Sequence, residues 1–210
     1  MSERRVNRQP GELYSAMDPE LRRLQFKAKE RTYQYNQTLP NQALRRQILL
    51  AELLGDCGEQ TFIEPNFTCD YGFNVHFKGS AVVESGCVML DSAEITIGNN
   101  VYFAANVCCA CASHPLVVEE RQNALAYAQN ITIEEDVWIG AHCTILGGVT
   151  IGRGAIIQAG SVVSEDIPSN KVAAGNPCKA IREVSEADRE DCRLPESCIL
   201  ADSPAVDIHQ

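Results

Sequence analysis

The chain has no run of about 18 apolar residues, the length needed to cross a bilayer as a helix, anywhere in its 210 residues. The charges of its opening segment, MSERRVNRQPGELYSAMD, are followed by no apolar stretch. Neither a membrane span nor a secretory signal is therefore expected, and the cytoplasm is the predicted compartment. Positive charge is also short. Eighteen Lys and Arg face 28 Asp and Glu, a net charge of −10, which leaves no basic footprint for a phosphate backbone and excludes nucleic acid as the expected partner. Hydrophobicity is not lacking: 45% of residues are apolar and 22% charged, the balance of a globular chain with a sizeable core. The length allows one principal domain and a smaller appendage.

Cysteine is abundant, with ten residues, but nothing marks the chain for an oxidising compartment. Cys57, Cys69, Cys87 and Cys143 stand in apolar contexts, so buried reduced thiols are predicted rather than a disulfide framework. Cys108, Cys109 and Cys111 cluster without a second pair of ligands at zinc spacing, and no metal is expected.

The chain changes character near Gly58. Residues 1–60 hold ten basic and eight acidic side chains, whereas residues 61–181 hold five and twelve. In the first part, Asp18, Pro19 and Glu20 supply an N-cap, a proline at the first helical position and first-turn acid. They predict a helix that buries Leu21, Leu24 and Phe26. A second helix is predicted over residues 42–54, with an apolar stripe of Leu44, Ile48, Leu49, Leu53 and Leu54 and a stop at Gly55. The two read as a helical cap over residues 1–60.

From residue 61 a six-residue period takes over. Ile133, Ile139, Ile145, Ile151, Ile157 and Val163 stand six apart, as do Ile131, Val137, Cys143, Val149, Ala155 and Ser161, and, upstream, Met89, Ile95, Val101 and Val107. A coiled coil repeats every seven residues; hexads with alternating buried and exposed positions are short strands, and their array is a mainly β fold, a parallel β-helix with three hexads to a coil of about 18 residues. Gly98, Gly140, Gly147, Gly152 and Gly154, with Asn99 and Asn100, are expected to supply permissive backbone at its corners. This body is expected over residues 61–184, with residues 185–210 a short helix and a solvated acidic tail.

Residues 112–130, ASHPLVVEERQNALAYAQN, contain no hexad. They read as a loop extruded from a rigid scaffold, the usual place for chemistry, and they open on His114 and Pro115. An imidazole titrates near 6.5, about where a general base at neutral pH works best, so His114 is the candidate base. His76 and His142 lie within the repeats and His209 in the tail; they read as strand or surface residues. Three histidines for a metal hydrase are countable in His76, His114 and His142, without evidence that they converge. Cys111, three residues before His114, offers an acyl-cysteine route, but three residues along an extended chain end on opposite faces, which favours direct transfer.

The segments LYSAMDPEL (13–21), DYGFNVHF (70–77), LDSAEITIGNNV (90–101), SHP (113–115), ITIEEDVWIGAHCTILGGVTIG (131–152) and AGNPCKAIRE (174–183) make the chain resemble, nearly end to end, the maltose and galactoside O-acetyltransferases of the hexapeptide-repeat class, the group that includes nodulation-type sugar acetyltransferases. The resemblance implies a left-handed β-helix, a homotrimer with acceptor clefts between subunits, acetyl-coenzyme A as donor, a small sugar-like acceptor, and His114 as the catalytic histidine. It also implies that Lys179 and Arg182 contact the phosphates of coenzyme A, and that Trp138, Ala141, Ala159, Ser161 and Ser164 line the pantetheine channel. By the same similarity Asp18, Asp70 and Asp91 grip acceptor hydroxyls, and Asp91 is also a carboxylate that could orient His114.

One departure stands out. Where those enzymes read Tyr-Ala-Asn-Phe-Asn, this chain reads Val82-Val83-Glu84-Ser85-Gly86, so Glu84 occupies the place of the asparagine that steadies the transition state. An amide donates to a developing oxyanion, whereas an ionised carboxylate repels it. Glu84 is therefore either protonated, or matched to a different acceptor such as an amine, or a source of low activity. Ser164 and Glu165 likewise replace a threonine-lysine pair. The expectation is O-acetylation of a sugar-like hydroxyl, with N-acetylation of an amino sugar and a non-catalytic β-helix scaffold as alternatives.

Overall fold

A computed structural model describes residues 10–58 and 60–189; the remainder of the predicted tail, His209 included, lies outside the described residues. The expected cap is present as α1 (Pro19–Asn36) and α2 (Ala43–Leu53). Asp18 caps α1, its Oδ1 accepting from the Glu20 and Leu21 amides at 2.9 and 3.0 Å, and so engages two of the helix's orphan donors. The buried stripe of α1 is Leu21, Leu24, Ala28, Thr32 and Tyr35. Phe26 lies off that stripe and is 63% exposed, contrary to expectation; of the stripe predicted for α2, Leu49, Leu53 and Leu54 are buried as expected, joined by Leu50, while Leu44 and Ile48 are exposed.

These helices plug one end of the repeat body. Leu50, Leu53 and Leu54 join the core with Ile63, Phe67 and Cys69, while the Tyr35 hydroxyl donates to the Ile63 carbonyl and Asn36 Nδ2 to the Phe67 carbonyl.

The repeats form the expected left-handed parallel β-helix. Three faces follow each other in every turn. A threonine face carries Val75–Phe77, Ile95–Ile97, Ile131–Ile133 and Thr150–Ile151; an aromatic face carries Thr61–Ile63, Ala81–Val83, Val101–Phe103, Trp138–Ile139 and Ile156–Ile157; a third carries Thr68–Cys69, Val88–Leu90, Cys108–Ala110, Thr144–Leu146 and Val162–Val163. Both six-residue series starting at Ile131 and Ile133 point inward and are buried throughout. Full burial of each large aliphatic side chain contributes about 1.5–3 kcal/mol, so these ladders dominate the stability of the fold.

The coil length is not uniform, and the irregularity is informative. Thr132 pairs with Thr150, 18 residues on, but Val88 pairs with Cys108, 20 residues on, and Tyr102 with Trp138, 36 residues on. The extra residues all fall at the edge between the third face and the threonine face, at 70–74, 91–94 and 111–130. Met89 and Ile95 are thus six apart without being equivalent: Met89 is matched by Ile97 on the next face, eight residues away.

Gly154 holds the left-handed corner backbone expected of it, at φ 66°, but the other four predicted glycines serve a different need. Gly140 and Gly152 do not hold left-handed backbone; a Cβ there would lie 2.6 Å from the backbone nitrogens of Ala159 and Ser169 on the next coil. Close approach between coils, not φ, selects them. Left-handed corners are shared between glycines and polar residues that tolerate them: Asn66, Gly86, Asn106, His142 and Gly160 at one edge, and Asn100, Asp136 and Gly154 at another. His142 is therefore a corner residue rather than a strand residue.

The 112–130 excursion is an ordered arm. Strands Ala112–Ser113 and Leu125–Ala128 pair antiparallel around a short helix, α3 (Val118–Gln122), and Tyr14–Ser15 adds a third strand. At the other end of the prism, Lys171–Gly175 and Cys178–Glu183 form a closing hairpin, followed by one 3-10 turn, Glu186–Asp188, as the expected short C-terminal helix.

Candidate active site

The lengthened edge collects one set of predicted residues. Asp91 is fully buried, with Oδ1 accepting from the Asp70 and Tyr71 amides at 3.0 and 2.8 Å and Oδ2 from the Asn74 amide at 3.2 Å; the Asn74 side chain donates to the Asp91 carbonyl at 2.8 Å. Burial pushes its carboxyl up to about 6 against the backbone donors that lower it, with Asp70 raising it further. This corrects the expectation for Asp91: a side chain with no exposed surface and both oxygens engaged by the corner directly above neither grips an acceptor nor orients His114. Asp70 is half-buried, and its carboxyl is raised by desolvation and lowered by Ser92 and by Lys29 of α1. Ser92 Oγ lies 3.4 Å from Asp70 Oδ2.

The arm presents His114 at the same edge. Its Nδ1 is 3.0 Å from the Leu125 carbonyl. A carbonyl only accepts, so Nδ1 carries the proton and Nε2 keeps its lone pair. His114 is exposed, and Arg121 steadies the turn after it by donating to the carbonyls of Pro115 and Leu116. No sequence signal marked Arg121, which acts from six residues away across a turn. Asp18 is near through the strand Tyr14–Ser15, which pairs with Leu125 and Ala126, but one of its oxygens serves the helix cap.

Cys111, the alternative nucleophile, is buried, its thiol 3.5 Å from the Ala93 carbonyl and pushed up to about 12 chiefly by desolvation. His76 is buried with Nδ1 2.9 Å from Asp56. His142 stands at a different edge, and among the described residues no group of three His, Cys, Asp or Glu side chains is placed to hold a metal.

The second set lies on the edge between the aromatic and third faces. Tyr102 and Trp138 stack in register on the aromatic face, with Phe62 and Val82 above and Ile156 below, and Trp138 is 50% exposed. Ala141 and Ala159 sit at successive corners beside them. Glu84 shares this edge, but Oε2 accepts from the Ala105 amide at 2.9 Å and Oε1 from the Tyr102 hydroxyl, whose phenol is held above its ordinary value by that carboxylate. Glu84 braces one coil against the next, so neither a catalytic role nor a grip on an amine is open to it in this arrangement.

Ser161 is also corrected. Its side chain is buried and its hydroxyl donates to the Gln158 carbonyl at 2.5 Å and accepts from the Gly175 amide at 3.2 Å. Ser164 is exposed but falls at the lengthened edge, apart from Ala141 and Ala159.

Lys179 and Arg182 lie on the closing hairpin. A register shift between their partners inserts one residue, which turns toward one side two positions that a regular strand would send to opposite sides. Both are half-exposed and ion-paired, Lys179 with Glu165 at 2.5 Å and Arg182 with Asp188 at 2.7 Å. Exposed pairs of this kind contribute about 0–1 kcal/mol and yield readily to a phosphate.

Residues 10–58 match the maltose acetyltransferase hexapeptide capping motif, and residues 130–165 the bacterial transferase hexapeptide with its six repeats. A relative from Saccharomyces cerevisiae is 44% identical over 180 residues, 85% of this chain and 92% of its own length. The galactoside O-acetyltransferase of Escherichia coli is 37% identical over 179 residues, 85% and 88% of the two chains. The chain belongs to the galactoside and maltose O-acetyltransferase family of hexapeptide-repeat enzymes. A solved galactoside acetyltransferase in complex with coenzyme A superposes with a TM-score of 0.80 at 37% identity, covering 86% of this chain and 92% of the other.

Proposed function

We propose that this acetyltransferase moves the acetyl group of acetyl-coenzyme A directly to a hydroxyl of a small sugar-like acceptor, with His114 as general base. The observation that carries this reading is the Nδ1 contact to the Leu125 carbonyl, which leaves the Nε2 lone pair free at the start of a braced arm. Nε2 takes the hydroxyl proton as the oxygen attacks the thioester carbonyl; the C–S bond of the tetrahedral intermediate then breaks and the proton passes to the departing thiolate. Buried Cys111, with its thiol pushed up to about 12, supports direct transfer over an acyl-cysteine.

The residues present fit the donor. Lys179 and Arg182 offer cations to its phosphates, and Trp138 with Ala141 and Ala159 offers an exposed apolar surface with small neighbours to its pantetheine arm. Asp70 is the accessible carboxylate for acceptor hydroxyls.

His114 and Asp70 stand on one edge of the prism and Trp138, Ala141 and Ala159 on another. A ring of three copies, each setting its arm edge against the next copy's aromatic edge, joins the two halves and covers the exposed aromatic ladder. We therefore infer a homotrimer with sites between subunits. A cytoplasmic location agrees with the eight free cysteines among the described residues.

The test is incubation with acetyl-coenzyme A and a panel of sugars, amino sugars and simple alcohols, with products read by mass spectrometry. Acetylated hydroxyls are expected, with His114→Ala lowering turnover by about 100-fold or more. Full activity in His114→Ala refutes the assignment of the base, and products acetylated only on nitrogen refute the acceptor class. Sedimentation equilibrium at one chain mass refutes the trimer.

A further inference from the structure

Resting on the reading of Asp70 as the acceptor carboxylate, we propose that Asp91 is a positioning residue whose buried carboxylate and carbonyl clamp the 70–74 corner and thereby aim Asp70 at the acceptor.

The corner is a place where the fold supplies little positioning of its own. In the last coils a turn of the helix is held by strand pairing at hexad spacing, but 70–74, like the corner after Leu90, is two residues longer than the equivalent corners there, and its backbone leaves the ladder after Cys69 and rejoins it at Val75. Three amides in this stretch, those of Asp70, Tyr71 and Asn74, converge on the carboxylate of Asp91 in the corner directly beneath, and Asn74 Nδ2 returns a fourth bond to the Asp91 carbonyl. One of the clamped amides belongs to Asp70 itself. Tyr71, the next residue clamped, packs with Leu21 and Leu24 of α1, with Phe73 against it, so the clamp also sets the seat of the helix whose Lys29 faces Asp70.

Asp91 touches no solvent, so its effect on the reaction passes through Asp70. The chemistry requires this precision: a group that binds hydroxyls must be held to within about half an ångström to position them productively. Asparagine at 91 is the informative replacement. Its oxygen still accepts from two amides, but its NH₂ would face the Asn74 amide, donor against donor.

The experiment is a double-mutant cycle on the full-length enzyme with a turned-over sugar acceptor, measuring KM for acceptor and for acetyl-coenzyme A separately. Asp70→Asn and Asp91→Asn are each expected to raise acceptor KM by about tenfold, with KM for acetyl-coenzyme A unchanged within about twofold, and the double variant is expected to be no worse than the more impaired single one. Asn74→Ala, which removes only the side-chain strap and is expected to fold, should raise acceptor KM by about two- to threefold, an effect that vanishes in the Asp70→Asn background. Additive effects, an unchanged acceptor KM in both Asp91→Asn and Asn74→Ala, or a parallel rise in both KM values overturns the proposal. An unchanged acceptor KM in Asp70→Asn alone overturns instead the assignment of Asp70, on which the proposal rests.

Discussion

Asp91→Asn should gain stability relative to the wild-type protein as pH rises from about 4 to about 7. The carboxyl of Asp91 ordinarily titrates at 3.8 and is pushed up to about 6 in the fold, with burial as the first cause. A raised carboxyl holds its proton longer in the native than in the unfolded state, so the native state binds more protons between these values and stability falls as pH rises through them. The contribution is fully present below the unfolded value of 3.8 and lost above about 6. Each tenfold change in proton affinity is worth about 1.4 kcal/mol, so the rise of the carboxyl on folding corresponds to about 3 kcal/mol. The buried charge at neutral pH is thus a net burden on the fold, one that its hydrogen bonds to the 70–74 corner offset only in part. Other groups titrate in this window too, and subtracting the variant removes them. The assay is urea unfolding of both proteins at matched concentration across this range, followed by far-ultraviolet circular dichroism. A constant difference between the two, or a wild-type protein that gains on Asp91→Asn as pH rises, would refute the reasoning: it would mean that the three hydrogen bonds to the carboxylate match or outweigh desolvation.

Glu84→Ala leaves the part-buried Ala105 amide without its acceptor, while the exposed Tyr102 hydroxyl turns to water, and should lower stability by about 1 kcal/mol in denaturant unfolding, while kcat/KM for sugar acceptors stays within about threefold. An altered acceptor profile at unchanged stability would return Glu84 to the active site. Gly140→Ala places a methyl 2.6 Å from the Ala159 nitrogen and should cost more than about 2 kcal/mol, visible as a lowered melting temperature; a neutral outcome would mean that the coils separate easily. Lys179→Ala with Arg182→Ala should raise KM for acetyl-coenzyme A by about tenfold or more and flatten its salt dependence, since charge-assisted phosphate contacts are lost. A KM independent of both residues would move the phosphate site elsewhere.

Ladders such as Ile133 to Val163 were legible because burial in a solenoid repeats at fixed chain distance, so the inward positions announce themselves in order. The α1 cap was legible for a similar reason: Asp18, Pro19 and Glu20 act on backbone groups two or three residues away. His114 stood out as a break in the period. Asp91 and Glu84 could not be read this way. Both are carboxylates at corners of the body, chemically suited to a substrate, and what removes them from it is the neighbour one coil away that uses their oxygens. Ser161 follows the same rule, its hydroxyl satisfied by Gln158 nearby and by Gly175 of the closing hairpin.

The chain's order of residues thus determined the hexad body, its helical plug, the arm and the histidine that opens it, because each depends on spacing along the backbone. Tertiary structure decided which polar side chains remain available. Coils stack about 4.8 Å apart, so residues 18, 20 or 36 positions distant become hydrogen-bonding neighbours, and those distances depend on insertions whose length is readable but whose stacking is not. The same stacking put His114 and the residues proposed to hold the donor on different edges of one prism, a separation that follows from closing the chain into three faces.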